Sequence, residues 1–396
     1  MPIIATVLKL ALAACTLAAV AFYLLSIIAG WRFFSRRPHV AQERLDPATI
    51  MIPLHGADFK AYENYAGLCR QDYRDYQIVF GVRDESDSSI PIVRKLIEDF
   101  PERDIALVVS DKSIGANLKV SNLQNMLERV KHEQIVIIDS DIRMGRDYLK
   151  NVLGPLADER VGLVTCLYRA AEAPDFGARL EAVGITAEFA PGVLMAWMLE
   201  GVKFALGSTM ATTRTRLESI GGFPALADYL ADDFMLGNLV ARSGYEVYLS
   251  THVVETAMHP IGLAGMIHHQ LRWARSTRIS RPMGYLGLIL TYGTALALIY
   301  VAVDRASTFS LIIFASTLAV RLVMGWMIGV HWLKDKLLKK YFWLLPLRDV
   351  MSFLIWCSSW VGRTVEWRGR IFKVSRDGKM LLVDDSLSRK VHESNP

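Results

Sequence analysis

The sequence predicts an α/β domain on a mostly parallel sheet, held to a membrane by apolar helices at both ends. Three observations carry that prediction. Between residues 48 and 169 short apolar runs alternate with stretches of helical spacing. The 396 residues are 52% hydrophobic and only 21% charged, with a mean hydropathy of +0.25. The apolar excess is also gathered into a few charge-poor stretches. That length accommodates either two to three domains or one domain plus membrane segments, and the composition favours the second.

The first apolar stretch, residues 10–30, carries no charge and is long enough for a bilayer, which takes about 20 residues. It is followed by WRFFSRR, where a cleaved signal would have small residues, so it reads as an anchor. Residues 283–303 are equally clean, and residues 307–330 are interrupted only by Arg321. Residues 341–361 contain Pro346, Arg348 and Asp349 and read as re-entrant or interfacial, or as a span packed against the others. Basic clusters (RWARSTRISR, KDKLLKK, WRGRIFKVSRDGK) flank these stretches and place residues 31–282 and the C-terminus in the cytoplasm, most simply at a bacterial inner membrane. The expected plan is a transmembrane helix with basic flank over 1–31, a cytoplasmic domain over 32–282, membrane helices over 283–361 and a basic tail over 362–396. The net charge of +5 sits in the juxtamembrane clusters and suits anionic lipid headgroups. No basic, aromatic-interleaved surface marks a nucleic-acid binder. Cys15, Cys69, Cys166 and Cys357 have neither zinc spacing nor a disulfide framework, which suits a reducing compartment.

Within the central domain, ATIMIPL (48–54), YQIVFGV (76–82), IALVVS (105–110) and QIVIID (134–139) read as strands, and RVGLVTCLYR (160–169) as another. NYAGLCRQDY, PIVRKLIEDF and KVSNLQNMLERV between them have helical spacing. Residues 185–205 are apolar but broken by Glu188, Glu200 and Lys203, and fit an interfacial helix or a buried core helix.

In such sheets ligands bind beyond the carboxyl ends of the strands. Asp84 follows the second strand; a turn with Gly115 and then Lys119 at a helix start follow the third; Asp139 and Asp141 follow the fourth. A helix N-terminus with a lysine suits a phosphate. Carboxylates beside a phosphate need a divalent cation between them, and Mg²⁺ or Mn²⁺ takes one or two carboxylates plus phosphate oxygens. On an extended segment residues i and i+2 point to one side, which would let Asp139 and Asp141 share an ion. Taken singly, Asp-x-Asp is equally a solvated turn, Asp232 or Asp233 a helix cap, Lys119 a solvated charge, and Arg272-Trp273 an interfacial anchor. His252, His259, His268 and His269 lack metalloprotease spacing.

The set in order is more specific. Asp84, Asp139-Ser-Asp141, Ala231-Asp232-Asp233 and Arg272-Trp273 resemble the D, DxD, D, QxxRW signature of inverting family 2-type glycosyltransferases. GVRDESD, GANLKVSNL, IDSDIRM, LADDF, HQLRWAR and WRGRIF are most similar to the ceramide glucosyltransferase family, with its bacterial and hopanoid-associated relatives. The motifs run from about residue 48 to 280. The resemblance implies a GT-A fold, Rossmann-like with a mostly parallel sheet, and transfer of a sugar, glucose above all, from a UDP-sugar to a membrane lipid.

Carried onto this sequence, it puts Asp84 on the uracil or ribose beside the backbone after Pro53, and Asp139 and Asp141 around the diphosphate and metal, Asp141 more directly. Lys119 would hold the nucleotide, Asp233 would act as general base, and Arg272 and Trp273 would close over diphosphate and acceptor. The motif usually begins with Gln or Arg three positions before Arg-Trp; here His269 stands there, with Gln270 one residue later. Ceramide is the expected acceptor, with a hopanoid or other polyol lipid as the alternative. A polysaccharide synthase would need more protein in the bilayer, and an inactive nucleotide-sugar binder would not need Asp233.

Overall fold

The computed structural model describes residues 2–36, 46–362, 364–367, 370–375 and 377–383. Arg37 of the expected basic flank, Arg368 and Gly369 of WRGRIF, and the tail from residue 384 lie outside the described residues. The chain forms two compact units. One comprises Met1–Arg36, Ala173–Glu200 and Pro260–Gly362; the other comprises Arg37–Glu172, Gly201–His259 and Arg363–Pro396.

The second of these, the sheet unit, carries strands β1 (Ala48–Pro53), β2 (Tyr76–Val82), β3 (Asp104–Val109), β4 (Gln134–Ile137), β5 (Ile142–Arg143), β6 (Val161–Glu172), β7 (Met210–Thr213) and β8 (Glu246–Ala257). Their order across one sheet is β3-β2-β1-β4-β7-β6-β8-β5. Pairs β1–β2, β2–β3, β1–β4 and β6–β8 are parallel; β4–β7, β6–β7 and β5–β8 are antiparallel. Every residue of β1 and β2 is buried, which explains why their sequences are continuous apolar runs instead of alternating ones. β3, at the sheet edge, has exposed ends and a half-buried middle. Ile50, Ile52, Ile78, Phe80, Val136 and Ile138 belong to one core with Tyr65 and Val93 of the covering helices.

A separate three-stranded antiparallel sheet, β9 (Thr364–Trp367), β10 (Arg370–Val374) and β11 (Met380–Leu382), belongs to the same unit. It is tied to the loop before the acidic helix: Met380 N donates to Asp228 O at 2.7 Å and Leu230 N to Gly378 O at 3.3 Å.

The other unit is helical. Ile3–Phe34, Phe176–Glu200 and Thr308–Trp332 are long and apolar enough to cross a membrane. The clean stretch expected over 283–303 is instead two helical pieces, Pro282–Thr291 and Gly293–Val303, bent by 59°. Tyr23 explains how the bend is tolerated: its hydroxyl donates to Thr291 O and accepts from Gly293 N, both at 2.8 Å. A side chain thus replaces main-chain bonds that an unbroken helix would make. The stretch read over 185–205 ends its helix at Glu200 and begins at Phe176, with a π-turn over Ile185–Phe189. The awkward charges Arg321, Arg348 and Asp349 all find partners. Arg321 donates to Asp349 at 2.6 Å, whose other oxygen accepts from Thr294 at 2.7 Å. Buried Arg348 donates to Glu188 at 3.2 Å. Leu345–Ser359, the helix carrying Arg348 and Asp349, has 15 residues, fewer than a bilayer span of about 20 needs.

Candidate active site

Four parallel strand ends open the site. Pro53 closes β1 opposite Gly81, and Leu54 N, Ser110 N and Ile138 N extend the pairings past the strand ends. Beyond β2, Asp84 is exposed, and its Oδ1 accepts from Ser86 N at 2.8 Å and Ser86 Oγ at 2.7 Å. Those two bonds hold its carboxyl below the usual carboxylate range.

Beyond β3 the turn reaches Asn117, which caps the Leu118–Met126 helix: its Oδ1 accepts from Lys119 N at 2.9 Å and Val120 N at 3.1 Å. The helix amides expected for a phosphate are therefore already partly satisfied by the cap. The same turn touches the loop before the acidic helix. Asn117 Nδ2 donates to Tyr229 O at 2.8 Å and Ala116 N to Asp228 Oδ1 at 2.9 Å. A Cβ on Gly115 would fall 2.6 Å from Ala227 O, so only glycine allows that approach.

Lys119 is the hub. Its ammonium lies 2.7 Å from Asp139 Oδ1 and 3.4 Å from Asp232 Oδ2, with the side chain only 12% exposed. Burial works against its charge, but Asp139, Asp232 and Asp233 more than offset it and its pKa is raised.

Asp232 and Asp233 open the Asp232–Arg242 helix, which Ala231 precedes with no side-chain cap. Asp233 Oδ1 accepts from Phe234 N at 2.7 Å and Oδ2 from Gly207 N at 3.0 Å. Burial, then the charge of Asp232, raises the Asp233 carboxyl against the pull of Lys119. Gly207 joins the two acidic groups. A Cβ there would lie 2.6 Å from Asp139 Oδ2 and 3.4 Å from Asp233 Oδ2. No motif flagged it; its only signal is a glycine in the LGST run before the acidic loop.

Asp139 and Asp141 do not lie on one extended segment. β4 ends at Ile137, and Ile142 N donates to Asp139 O at 3.2 Å, closing a turn through Ser140 and Asp141. The two carboxyls therefore meet across a turn, where alternation along a strand no longer governs direction. Asp141 is fixed by β8: its Oδ2 accepts from Thr256 Oγ1 at 2.6 Å and its carbonyl from Ala257 N at 2.8 Å. Burial, with the charge of Asp139, pushes the Asp141 carboxyl up to about 7.

Among the described residues no set of three or more His, Cys, Asp or Glu forms a ready cage for an ion. The pair nonetheless fits a divalent cation completed by phosphate oxygens. Among the described residues Asp141 forms no ion pair, so positive charge is short on the side of the turn away from Lys119.

Arg272, Trp273 and His269 lie on the Gly262–Ser280 helix of the other unit. His269 Nδ1 is 2.8 Å from Glu181 Oε1, and its ring packs on Trp273 with centroids 4.4 Å apart. Gln270 is directed elsewhere and accepts from Arg348 at 2.7 Å. The sheet unit thus gathers Lys119, Asp139, Asp141 and Asp233, with Asp84 and Pro53 at neighbouring strand ends, while the last three candidates are organised within the helical unit.

The profile of glycosyl transferase family 21 matches residues 11–380. Ceramide glucosyltransferase 1 of Caenorhabditis elegans is 23% identical, the match covering 97% of this chain and 84% of the relative. Ceramide glucosyltransferase 3 of the same organism is 24% identical over 64% of this chain, which spans only 56% of that relative's length. A mannosyltransferase from Pyrobaculum calidifontis, solved with GDP-mannose and Mn²⁺, is 19% identical at a TM-score of 0.51, covering 88% of this chain and 98% of its own.

Proposed function

The chain belongs to glycosyl transferase family 21 and is a glycosyltransferase, and from that premise we propose the reaction that its acidic site performs. The reaction is inverting transfer of a sugar, glucose above all, from a UDP-sugar to the hydroxyl of a membrane lipid, with ceramide as acceptor. The observation that carries it is the approach of Asp139 and Asp233 to Gly207, whose N–H bonds Asp233 and whose missing side chain leaves room for Asp139. It puts a leaving-group clamp beside a proton acceptor.

Asp233 removes the acceptor's hydroxyl proton as the new glycosidic bond forms, which general-base help of this kind speeds by roughly 10²–10⁴-fold. A carboxyl raised above its ordinary range is suited to that task, because it is more basic than a solvated aspartate. The Gly207 N–H and the Phe234 N–H fix its two oxygens, so the base is aimed before the acceptor arrives. Asp84 and the main chain after Pro53 receive the uracil and ribose. Lys119 orients Asp139 and keeps the donor pocket from being wholly negative. A divalent ion held by Asp141 and Asp139 would supply the positive charge that the departing diphosphate needs. A single displacement needs no enzyme nucleophile and inverts the anomeric carbon. The roles of His269, Arg272 and Trp273 toward diphosphate and acceptor rest on the family pattern alone. The sheet unit works on the cytoplasmic face, on the sense of the basic clusters, most simply at a bacterial inner membrane.

The test uses purified full-length protein in lipid nanodiscs with UDP-glucose, Mn²⁺ or Mg²⁺, and ceramide. UDP release and a β-linked glucolipid extractable into organic solvent are expected, with both lost on chelation and restored by the ion. Turnover with a hopanoid but not with ceramide would move the acceptor to a polyol lipid. UDP release without any lipid product would overturn the reading.

A further inference from the structure

His269 departs from the Gln or Arg that usually opens the Arg-Trp motif, and the structure shows what accompanies the change. Glu181, on the Phe176–Gly184 helix, is 3% exposed. Its Oε1 lies 2.8 Å from His269 Nδ1, and among the described residues its Oε2 is buried with no hydrogen-bond partner. A buried carboxylate with half its accepting capacity unused is costly and is kept for a reason. The bond it does make is informative. An ionised carboxylate accepts and does not donate, so opposite it a neutral imidazole carries its proton on Nδ1 and leaves Nε2 able to accept. On its other side the imidazole packs against Trp273, one turn along the same helix. Ring and tautomer are therefore both set. Gln270 cannot be the group that Glu181 serves, because its side chain is held separately by Arg348, which also binds Glu188. Arg348 fills the space left by Gly184, where a Cβ would fall 2.6 Å from its guanidinium.

We propose that Glu181 is a positioning residue of the transfer reaction, acting through His269: it fixes the imidazole tautomer and orientation that a glutamine at that position would not require. The inference rests on the reading that the His269–Trp273 segment serves the glycosyl transfer. A glutamine presents its amide with no tautomer to choose. An imidazole offers two, and only one leaves Nε2 able to accept. The carboxylate and the histidine are thus a matched replacement for the usual side chain.

The experiment is a double-mutant cycle on the full chain in nanodiscs, read as turnover with UDP-glucose and ceramide. Glu181→Leu is expected to lower kcat by about tenfold or more, as loss of an orienting carboxylate behind a histidine commonly does, with the KM for UDP-glucose unchanged. Glu181→Gln still accepts from Nδ1–H and loses less. In the His269→Gln background, whatever its own rate, the further change Glu181→Leu is expected to cost less than about twofold. An equal loss in both backgrounds would make Glu181 a packing residue and overturn the proposal. Melting temperatures of all variants separate misfolding from mispositioning. If His269→Gln has no measurable turnover, equal losses for Glu181→Gln and Glu181→Leu overturn it instead. Absence of turnover in the parent protein would remove the functional reading and this inference with it, whereas parent turnover with indifferent Glu181 variants removes the inference alone.

Discussion

The two units bury charge in opposite ways. In the helical unit each buried cation meets its own carboxylate: Arg321 has Asp349 at 2.6 Å and Arg348 has Glu188 at 3.2 Å. In the sheet unit Asp139, Asp232 and Asp233 gather around Lys119, which among the described residues forms ion pairs with Asp139 and Asp232 only, and Asp141 lies beyond Asp139 with no ion pair among the described residues. Matched charge inside a protein holds shape and does little else. Unmatched negative charge destabilises, and a fold retains it where a cation or a proton must be received. The difference sets the two arginine pairs apart as scaffold and the acidic cluster of the sheet unit apart as chemistry, without reference to any motif.

The largest expected effect breaks the unmatched side at its base. Asp233→Asn should lower turnover by roughly 10²–10⁴-fold while calorimetry finds UDP binding largely unchanged. Unchanged turnover would remove Asp233 as proton acceptor. In the parent the same group contributes to the acid limb, together with Asp141, whose carboxyl burial also raises. Asp233 must be ionised to accept a proton, and burial raises its pKa, so the rate should fall with pH well above the ~3.9 of an ordinary aspartate.

Lys119→Met removes the cation that pairs with Asp139 and Asp232. It should cost about 3–5 kcal/mol of stability in a denaturant titration, and in the surviving protein the acid limb should move to higher pH. A limb that stayed in place would show that Lys119 does not govern the Asp233 carboxyl.

Thr256→Val is milder. It deletes the hydroxyl bond to Asp141 without changing shape, about 1–2 kcal/mol, and should raise the Mn²⁺ concentration for half-maximal rate by up to roughly tenfold. The smallest effect belongs to the matched side. Arg321→Met together with Asp349→Leu should cost less than about 1 kcal/mol, whereas Arg321→Met alone should cost about 3–5 kcal/mol. A large change of kcat in the double variant would collapse the contrast between the units.

The sequence made the parallel half of the sheet easy to read. β1, β2, β3 and β4 begin within one residue of their expected starts, because all four are continuous apolar runs ended by polar clusters, as strands buried on both faces such as β1 and β2 must be. In the other half only β6 was legible, as RVGLVTCLYR over 160–169. β7 is the four-residue MATT, and β8 alternates poorly and shifts register against β6 at three places. The candidate site divides the same way. Asp139, Asp141 and Asp233 stand out as motif letters, but their aim comes from distant partners. Thr256 orients Asp141 from 115 residues away, and Gly207 meets Asp233 through its main chain, which no side-chain pattern encodes. The clean run over 283–303 hid a bend because the group that stabilises it, Tyr23, lies 268 residues from Thr291.

β7 has a consequence for how the molecule is made. It lies between β4 and β6 and joins the two halves of the sheet. A ribosome delivers β1 to β6 first, then the apolar Phe176–Glu200 helix, and only afterwards β7 and β8. The sheet therefore cannot close until that helix has been synthesised and β7 has followed it out of the exit tunnel. The strand edges of β4 and β6 stay open in the meantime, templates for wrong pairing. Closure of the acidic site is thus a late event in synthesis, because Gly207 and the Asp232–Arg242 helix follow a segment that belongs to the other unit.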